Sequence, residues 1–498
     1  VKRRLFIIPL FLIVFSVFLA ACSNNQNVAK ANNKTSNKGN SVSINLEAKE
    51  AKIKYNNKLV ETAMTFNGSV PGQEIRVTEG QKVTIHFKNS LKQDTTLHLH
   101  GLSDANNMDG VPNVTQKPIK PGQTFDYTFT APKPGTYWYH SHTNEATQIM
   151  DGLYGVLIVE PKNGEKIDVD KAITISERSS MGSMDMSNMG DMSNMGSMDN
   201  MGNMDNMGNM SDMGNMNMGS TTKSQTSGSS ESAMMSMYDT SIINGKTSPS
   251  IQPIVVKKGD TVKLRFVNTG LFTQNIQIPA NQFKVTAYDG VSVNKPTLIS
   301  NQLIQIVPGE RYDVEFKANN PGSWGIKIYA QDNAKLKVVI PLTYKDYENQ
   351  KVKTDGTINK YFDFATYGKS SQKAIPTPTK EYHMNLGTND GGMTFTINGK
   401  RMPDPEIYNV KKGDVVRFTI KNETNVDHPM HLHGHHFQVL SRNGVPFTGS
   451  KVMKDTINVK PGETYVIQFV ADNPGTWLFH CHELHHAESG MVSLVKYN

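Results

Sequence analysis

The sequence predicts an all-β protein built from three consecutive β-sandwich domains. Three observations carry this reading. First, a 23-residue segment recurs: "KPGQTFDYTFTAPKPGTYWYHSH" from Lys120, "VPGERYDVEFKANNPGSWGIKIY" from Val307 and "KPGETYVIQFVADNPGTWLFHCH" from Lys460. In every copy the two Pro-Gly pairs stand 13 positions apart: Pro121 and Pro134, Pro308 and Pro321, Pro461 and Pro474. Second, each copy is preceded by a glycine turn and a stretch alternating apolar with polar residues, "EGQKVTIHF" at 79–87, "KGDTVKLRF" at 258–266 and "KGDVVRFTI" at 412–420. Period two puts alternate side chains on one buried face, which is the pattern of a half-buried strand. Third, short strands punctuated by Pro-Gly turns, with no long helical period, fit sandwiches rather than helical bundles.

The elements follow in chain order. Lys2, Arg3 and Arg4 precede an apolar run over 5–21 that ends in "LAAC". A basic start, an apolar stretch and small residues read as an export signal, with a retained membrane helix as the alternative. "LAAC" resembles a bacterial lipobox. That resemblance implies a lipoprotein signal peptide over 1–22, a lipid on Cys22 and anchoring on the outer face of the cell membrane. Residues 23–42 are rich in Asn, Lys and Ser and read as a flexible tether. Domain one is expected over 43–162, domain two over 165–345, a polar connector over 346–380 and domain three over 381–498. Domain two is interrupted at 181–237, where 17 of the chain's 26 methionines recur among Ser, Gly, Asn and Asp. That insertion lacks the bulky apolar volume to pack and is expected to be disordered.

Composition narrows the function. The 498 residues suffice for about three domains. A hydrophobic content of 37% fits a soluble body rather than a multi-span membrane protein. The net charge of +7 comes with no basic run interleaved with aromatics beyond the N-terminus, so nucleic-acid binding has no support. Of two cysteines, assigning Cys22 to lipid leaves only Cys481, which excludes an intrachain disulfide. A lone thiol among histidines points to a metal site.

Aligning the copies locates the ligands. Eighteen residues after Gly80 stands His98, opening "HLHG", and eighteen after Gly413 stands His431, opening the same "HLHG". The matching position in the middle copy is Gln277. After the second Pro-Gly, domain one carries His140 and His142, domain three carries His480 and His482, and domain two carries Lys327 and Tyr329. Residues i and i+2 of a strand share a face, so each His-x-His pair is expected to aim at one target. Cys481 then faces the other way. His428, His486 and Met491 are near it in sequence, and two imidazoles, a thiolate and a weak thioether make a blue-copper electron-transfer site.

"HLHG", "HSH", "HPMHLHGHHFQVL" and "HCHELHHAESGM" together resemble the four copper motifs of three-domain multicopper oxidases, a group that includes laccases and cuprous oxidases. The resemblance covers about 43–498. It implies cupredoxin-like Greek-key sandwiches and four copper ions. By that resemblance His98 and His431 bind type 2 copper. His100, His140, His142, His433, His480 and His482 bind the type 3 pair. His428, Cys481, His486 and Met491 form the type 1 site. "MDGVP" at 108–112 looks like the family's segment after the first motif, where Asp109 assists proton delivery; an ordinary Asp-Gly turn is the alternative. One position departs from the pattern. Many bacterial members carry an acidic residue directly after the second type 1 histidine, and here it is Ala487. His86 falls on a polar face, His383 is isolated, His435 and His436 are expected to orient ligands or lie in a loop, and His485 to be an exposed neighbour of the type 1 site.

The resemblance implies oxidation of a small reducing substrate, with O2 reduced to water. Thioethers are soft ligands that select Cu(I), so the methionine insertion points to cuprous ion as the donor and to extra Cu(I) held on the insertion. A general laccase, or an Fe(II) or Mn(II) oxidase, is the second enzyme reading. A copper-storage lipoprotein is the non-enzyme reading.

Overall fold

Strand formation follows the alternation. Lys82–Asn89 buries Val83, Ile85 and Phe87. Thr261–Asn268 buries Val262, Leu264 and Phe266, and Val415–Asn422 buries Val416, Phe418 and Ile420. The computed structural model describes residues 36–38, 40–164, 166–179, 235–280, 282–354, 356–370, 374–389 and 394–498. The export signal, Cys22 and insertion residues 181–234 lie outside the described residues. No helix among the described residues is long and apolar enough to cross a membrane.

Among the described residues the strands form six sheets, in three successive pairs along the chain. Each pair repeats one plan. The first sheet holds a parallel pairing: Ser41–Lys54 with Lys82–Asn89, Val169–Arg178 with Thr261–Asn268, and Lys380–Asn389 with Val415–Asn422. The second sheet holds another: Ile75–Thr78 with Tyr154–Glu160, Ile254–Val256 with Lys337–Tyr344, and Glu406–Val410 with Val492–Tyr497. The alternating apolar residues of the two sheets meet between them.

Residues 34–498 are one compact unit. Its apolar cores are shared between the repeats. One cluster runs from Ile173 in the second sheet pair to Val495 in the third. Another joins Trp138 and Ile149 of the first pair, Phe272 and Leu336 of the second, and Leu484 of the third.

Three segments differ from expectation. Ser36–Lys38 is a strand paired with Ser41–Lys54, although 23–42 reads as a tether. The reason is that the buried alternation begins at Val42 and continues through Ile44 and Leu46, so sheet pairing starts earlier than the polar composition indicates. The connector is not merely polar. Ala365 and Tyr367 are buried, and Phe362 and Phe364 pack on the core shared by the second and third pairs. At the end of the insertion, Met235 packs against the described body, where its carbonyl accepts Asn333 Nδ2.

Candidate metal centre

The histidine pairs sit on or just beyond the ends of paired strands. His98 lies opposite His140 across the pairing of His98–His100 with Gly135–His140. His431 lies opposite His480 in the same way across His428–Leu432 and Thr476–Cys481. His142 and His482 fall just beyond their strands. All eight imidazoles are buried, none more than 6% exposed. Domain one stacks on domain three through them: His100 on His431 with ring centres 3.7 Å apart, and His98 on His433 at 4.1 Å.

Their nitrogens gather into three groups, each with ligand atoms within 4.8 Å of one another: His98, His100 and His431; His100, His140 and His482; His142, His433 and His480. Each His-x-His pair opens into the shared cavity. The members of three pairs go to different groups, while His98 and His100 share the first group and His100 also enters the second. For those three pairs this corrects the expectation of one target per pair. Residues two apart along a strand are separated by about 6.6 Å, which suits two neighbouring ions rather than one.

The donor set fits copper. His98 Nδ1 donates to the Asp109 carbonyl (2.7 Å), His140 Nδ1 to the Ser141 carbonyl (2.8 Å), and His431 Nδ1 to the Asp455 carbonyl (3.0 Å). In all three the buried Nε2 has no hydrogen-bond partner. His100 is reversed: Nε2 faces Asp455 Oδ1 at 3.3 Å and Nδ1 is the unpartnered atom. One nitrogen anchored and one lone pair aimed into a dry cavity is how protein ligands are prepared for a metal. Nε2 of His433 lies 3.0 Å from that of His480 and 3.3 Å from that of His142, three imidazoles converging on one point. Burial holds His100, His140, His433 and His480 well below the usual imidazole range, and His482 at about 3. They are therefore neutral near pH 7, the form that binds metal.

Carboxylates brace this cavity. Asp109, buried, places both oxygens 3.0–3.1 Å from His433 Nδ1 while its carbonyl holds His98, so one residue orients ligands from two domains. Glu145 begins the helix Glu145–Asp151 and reaches His142 Nδ1 at 2.5 Å. Burial raises its carboxyl, but His142 outweighs that and holds it at about 2. A buried acid therefore meets a cluster imidazole even though position 487 is alanine, and it comes from domain one rather than from the last motif. Asp455 touches His100 and His431.

On the opposite side of the same strand, Cys481 Sγ lies 3.6 Å from Nδ1 of both His428 and His486. Thr424 Oγ1 meets His428 Nε2 at 2.9 Å, and Glu483 Oε2 accepts the His486 backbone N–H at 2.8 Å. Met491 is fully buried in the same core as Cys481, and its carbonyl accepts the Cys481 N–H. Burial pushes the Cys481 thiol up, so a thiolate there requires a bound cation. Domain one has Thr95 where domain three has His428, and Ser141 where it has Cys481. Both hydroxyls hydrogen-bond Gln148 Oε1, at 2.7 and 2.5 Å. The same pocket is thus closed by neutral hydrogen bonds in one copy and left as a soft-donor triad in the other.

The remaining histidines behave as read, with one refinement. His86 is exposed on Asp126 and Ser43. His435 joins the His433 carbonyl to Tyr497, and His436 contacts the Asp289 carbonyl. His485 is half-buried rather than exposed. Sequence reasoning missed Glu145, Asp455 and Thr424. Glu145 leaves a weak signal, since i,i+3 from His142 at a helix start puts the two within reach; Asp455 leaves none, because its partners are distant in sequence.

Models of the multicopper oxidase family match residues 47–164, 209–350 and 374–498. The chain belongs to the multicopper oxidase family. It is a copper-dependent oxidoreductase that uses O2 as acceptor, and the family's cofactors are type 1, type 2 and type 3 copper. Multicopper oxidase MmcO of Mycobacterium tuberculosis is 28% identical over 477 residues, spanning 92% of this chain and 88% of the relative. Iron transport multicopper oxidase FET3 of Kluyveromyces lactis is 28% identical over 499 residues, spanning 87% of this chain and 72% of the relative. Among solved structures, Fet3p, a multicopper oxidase that functions in iron import, superposes with a TM-score of 0.75 at 21% identity, covering 92% of this chain and 90% of that one. The Pediococcus acidilactici laccase gives 0.68 at 20% identity, covering 93% and 91%. These structural likenesses establish the cupredoxin-like fold.

Proposed function

We propose that this multicopper oxidase is a cuprous oxidase, with His428, Cys481, His486 and Met491 holding type 1 copper. In the same reading His98 and His431 hold type 2 copper, and His100, His140, His142, His433, His480 and His482 hold the type 3 pair. The observation that carries the coupling is one strand end serving both centres. Cys481 turns to His428 and His486, while its neighbours His480 and His482 belong to two of the three three-histidine groups. Bound copper supplies one-electron oxidation of the donor and four-electron reduction of O2 to water. The chain links the two ends through Cys481 and the two peptide bonds beside it. It also keeps the imidazoles other than His142 neutral, and it aims the free nitrogens of His98, His100, His140 and His431 through a carbonyl or carboxylate on the other.

Cuprous ion as donor is supported by the 17 methionines of the insertion and by Met402. That thioether side chain is 40% exposed, and its backbone N–H bonds the Gly490 carbonyl next to Met491. Soft sulfur near the type 1 pocket favours Cu(I) over harder divalent ions. The second reading is Fe(II), favoured by the iron-transport relatives. Deleting 181–234, which spares the seated Met235, separates the two. The expected result is slower oxygen uptake with limiting Cu(I) and an unchanged rate with a phenol or Fe(II). Equal loss with all donors, or no loss with any, removes the insertion from cuprous delivery.

Asp109 is read as serving both ligand orientation and proton supply at the cluster. Asp109→Asn keeps the carbonyl that holds His98 and removes the anion against His433. Oxygen reduction is expected to fall about 10- to 100-fold. The blue type 1 band should be unchanged, and the loss should deepen as pH rises. A uniform loss at every pH would leave Asp109 an orienting group only.

A further inference from the structure

The middle domain carries no ligand at the aligned positions, yet it reaches the cluster through one turn. In that repeat Arg311 stands where the other copies have Thr124 and Thr464. Arg311 is fully buried and grips Asp455 with both ends of its fork, Nη1 to Oδ1 at 2.8 Å and Nη2 to Oδ2 at 2.7 Å. Its Nε donates to the Thr136 carbonyl of domain one at 3.2 Å, and its Nη1 to the Gly309 carbonyl at 3.1 Å. Asp455 in turn faces His100 Nε2 through Oδ1, and its carbonyl accepts His431 Nδ1. Those two rings form the closest stack in the cavity, one from domain one and one from domain three.

The packing leaves no slack. A Cβ on Gly101, directly after His100, would overlap Arg311 Nη2 and lie 2.8 Å from Asp455 Oδ2. A Cβ on Gly309 would lie 2.9 Å from the His482 ring. Asp289 holds the Arg311 backbone N–H at 3.0 Å and meets Lys454, which also pairs with Glu310. The buried set therefore has three carboxylates, Asp289, Glu310 and Asp455, against two cations, Arg311 and Lys454. Of the three, Asp455 is the carboxylate that contacts the histidine cluster, through His100 and His431.

We infer that Arg311 is a positioning residue for the type 2 end of the cluster, locking Asp455 so that His431 keeps its free nitrogen on the type 2 copper while His100, stacked on it, keeps its own on the neighbouring type 3 copper. This rests on the assignment of His98 and His431 to type 2 copper. It gives the ligand-free middle domain a role in metal binding that packing alone does not require. A fork matched to a carboxylate fixes an angle, which a point charge does not.

The test uses the full-length copper-loaded protein, with Arg311→Lys and Asp455→Asn. Each sample is read for copper per chain, for the type 2 electron paramagnetic resonance signal, and for the blue type 1 band as an internal control. The expected result is a type 2 affinity lowered about 10- to 100-fold against a competing chelator, or a shifted type 2 hyperfine splitting, with the type 1 band intact. A wild-type type 2 signal in both variants overturns the inference. So does parallel loss of type 1 and type 2, which would mark a merely structural ion pair. If Arg311→Lys cannot be recovered folded, Asp455→Asn decides by the same readings. A wild-type protein without any type 2 signal would instead sink the ligand assignment itself.

Discussion

Cys481→Ser will be colourless and will take up no oxygen with any donor, while the remaining sites still load copper. The sulfur is the only thiol among the described residues, lies on two imidazoles at 3.6 Å and is fully buried. Serine offers a hard oxygen that binds copper without the charge-transfer colour of a thiolate, and it breaks the short path from the donor side to His480 and His482. The fold should survive. Domain one already holds a serine at the matching position, but there Gln148 accepts its hydroxyl. Domain three has His428 and His486 facing that spot, so the new hydroxyl is poorly satisfied and stability falls by about 1–3 kcal/mol. Visible absorbance, an oxygen electrode and copper content decide the matter. A persistent blue band, or sustained turnover, would sink the assignment of Cys481.

The second large effect is on acid stability without copper. His100, His140, His428, His433 and His480 are held by burial well below the usual imidazole range, with His482 at about 3. In the unfolded chain each titrates near 6.5. Between that value and the depressed native one the unfolded state binds more protons, so stability falls as pH drops. Each group contributes about 1.4 kcal/mol per pH unit in that window. His142 runs the other way. Burial lowers its value but Glu145 outweighs this and raises it, so its stabilisation is present below 6.5 and fades as pH rises through the folded value. The lowered group outnumbers it, so the apoprotein should weaken steeply from pH 7 to 5. Copper competes with protons for the same lone pairs and binds only the native cavity. The loaded protein should keep its urea midpoint over that range, gaining about 2.7 kcal/mol at copper a hundredfold above its dissociation constant. An apoprotein midpoint that does not move between pH 7 and 5 would show that the imidazoles are not kept neutral and dry.

The three-fold repeat, the all-β class and the identity of the ligand-bearing copies were legible because each is local. Alternation at Val83, Ile85 and Phe87 needs only neighbours two apart, and the His-x-His pairs stand at fixed distances from Gly80 and Gly413. The split of three of the four pairs between two groups was not legible. It depends on which imidazoles of the opposite domain stack against them, such as His431 on His100.

The amino-acid order alone determined which side chains could be ligands, because strand period and turn spacing act over a few residues. Only the tertiary structure decided which nitrogen each imidazole offers and which groups hold it there. Asp455 lies 355 positions from His100 and 144 from Arg311, and Asp109 lies 324 from His433. Contacts of that range arise when separate sandwiches pack and expel water, and no pattern within a single strand encodes them.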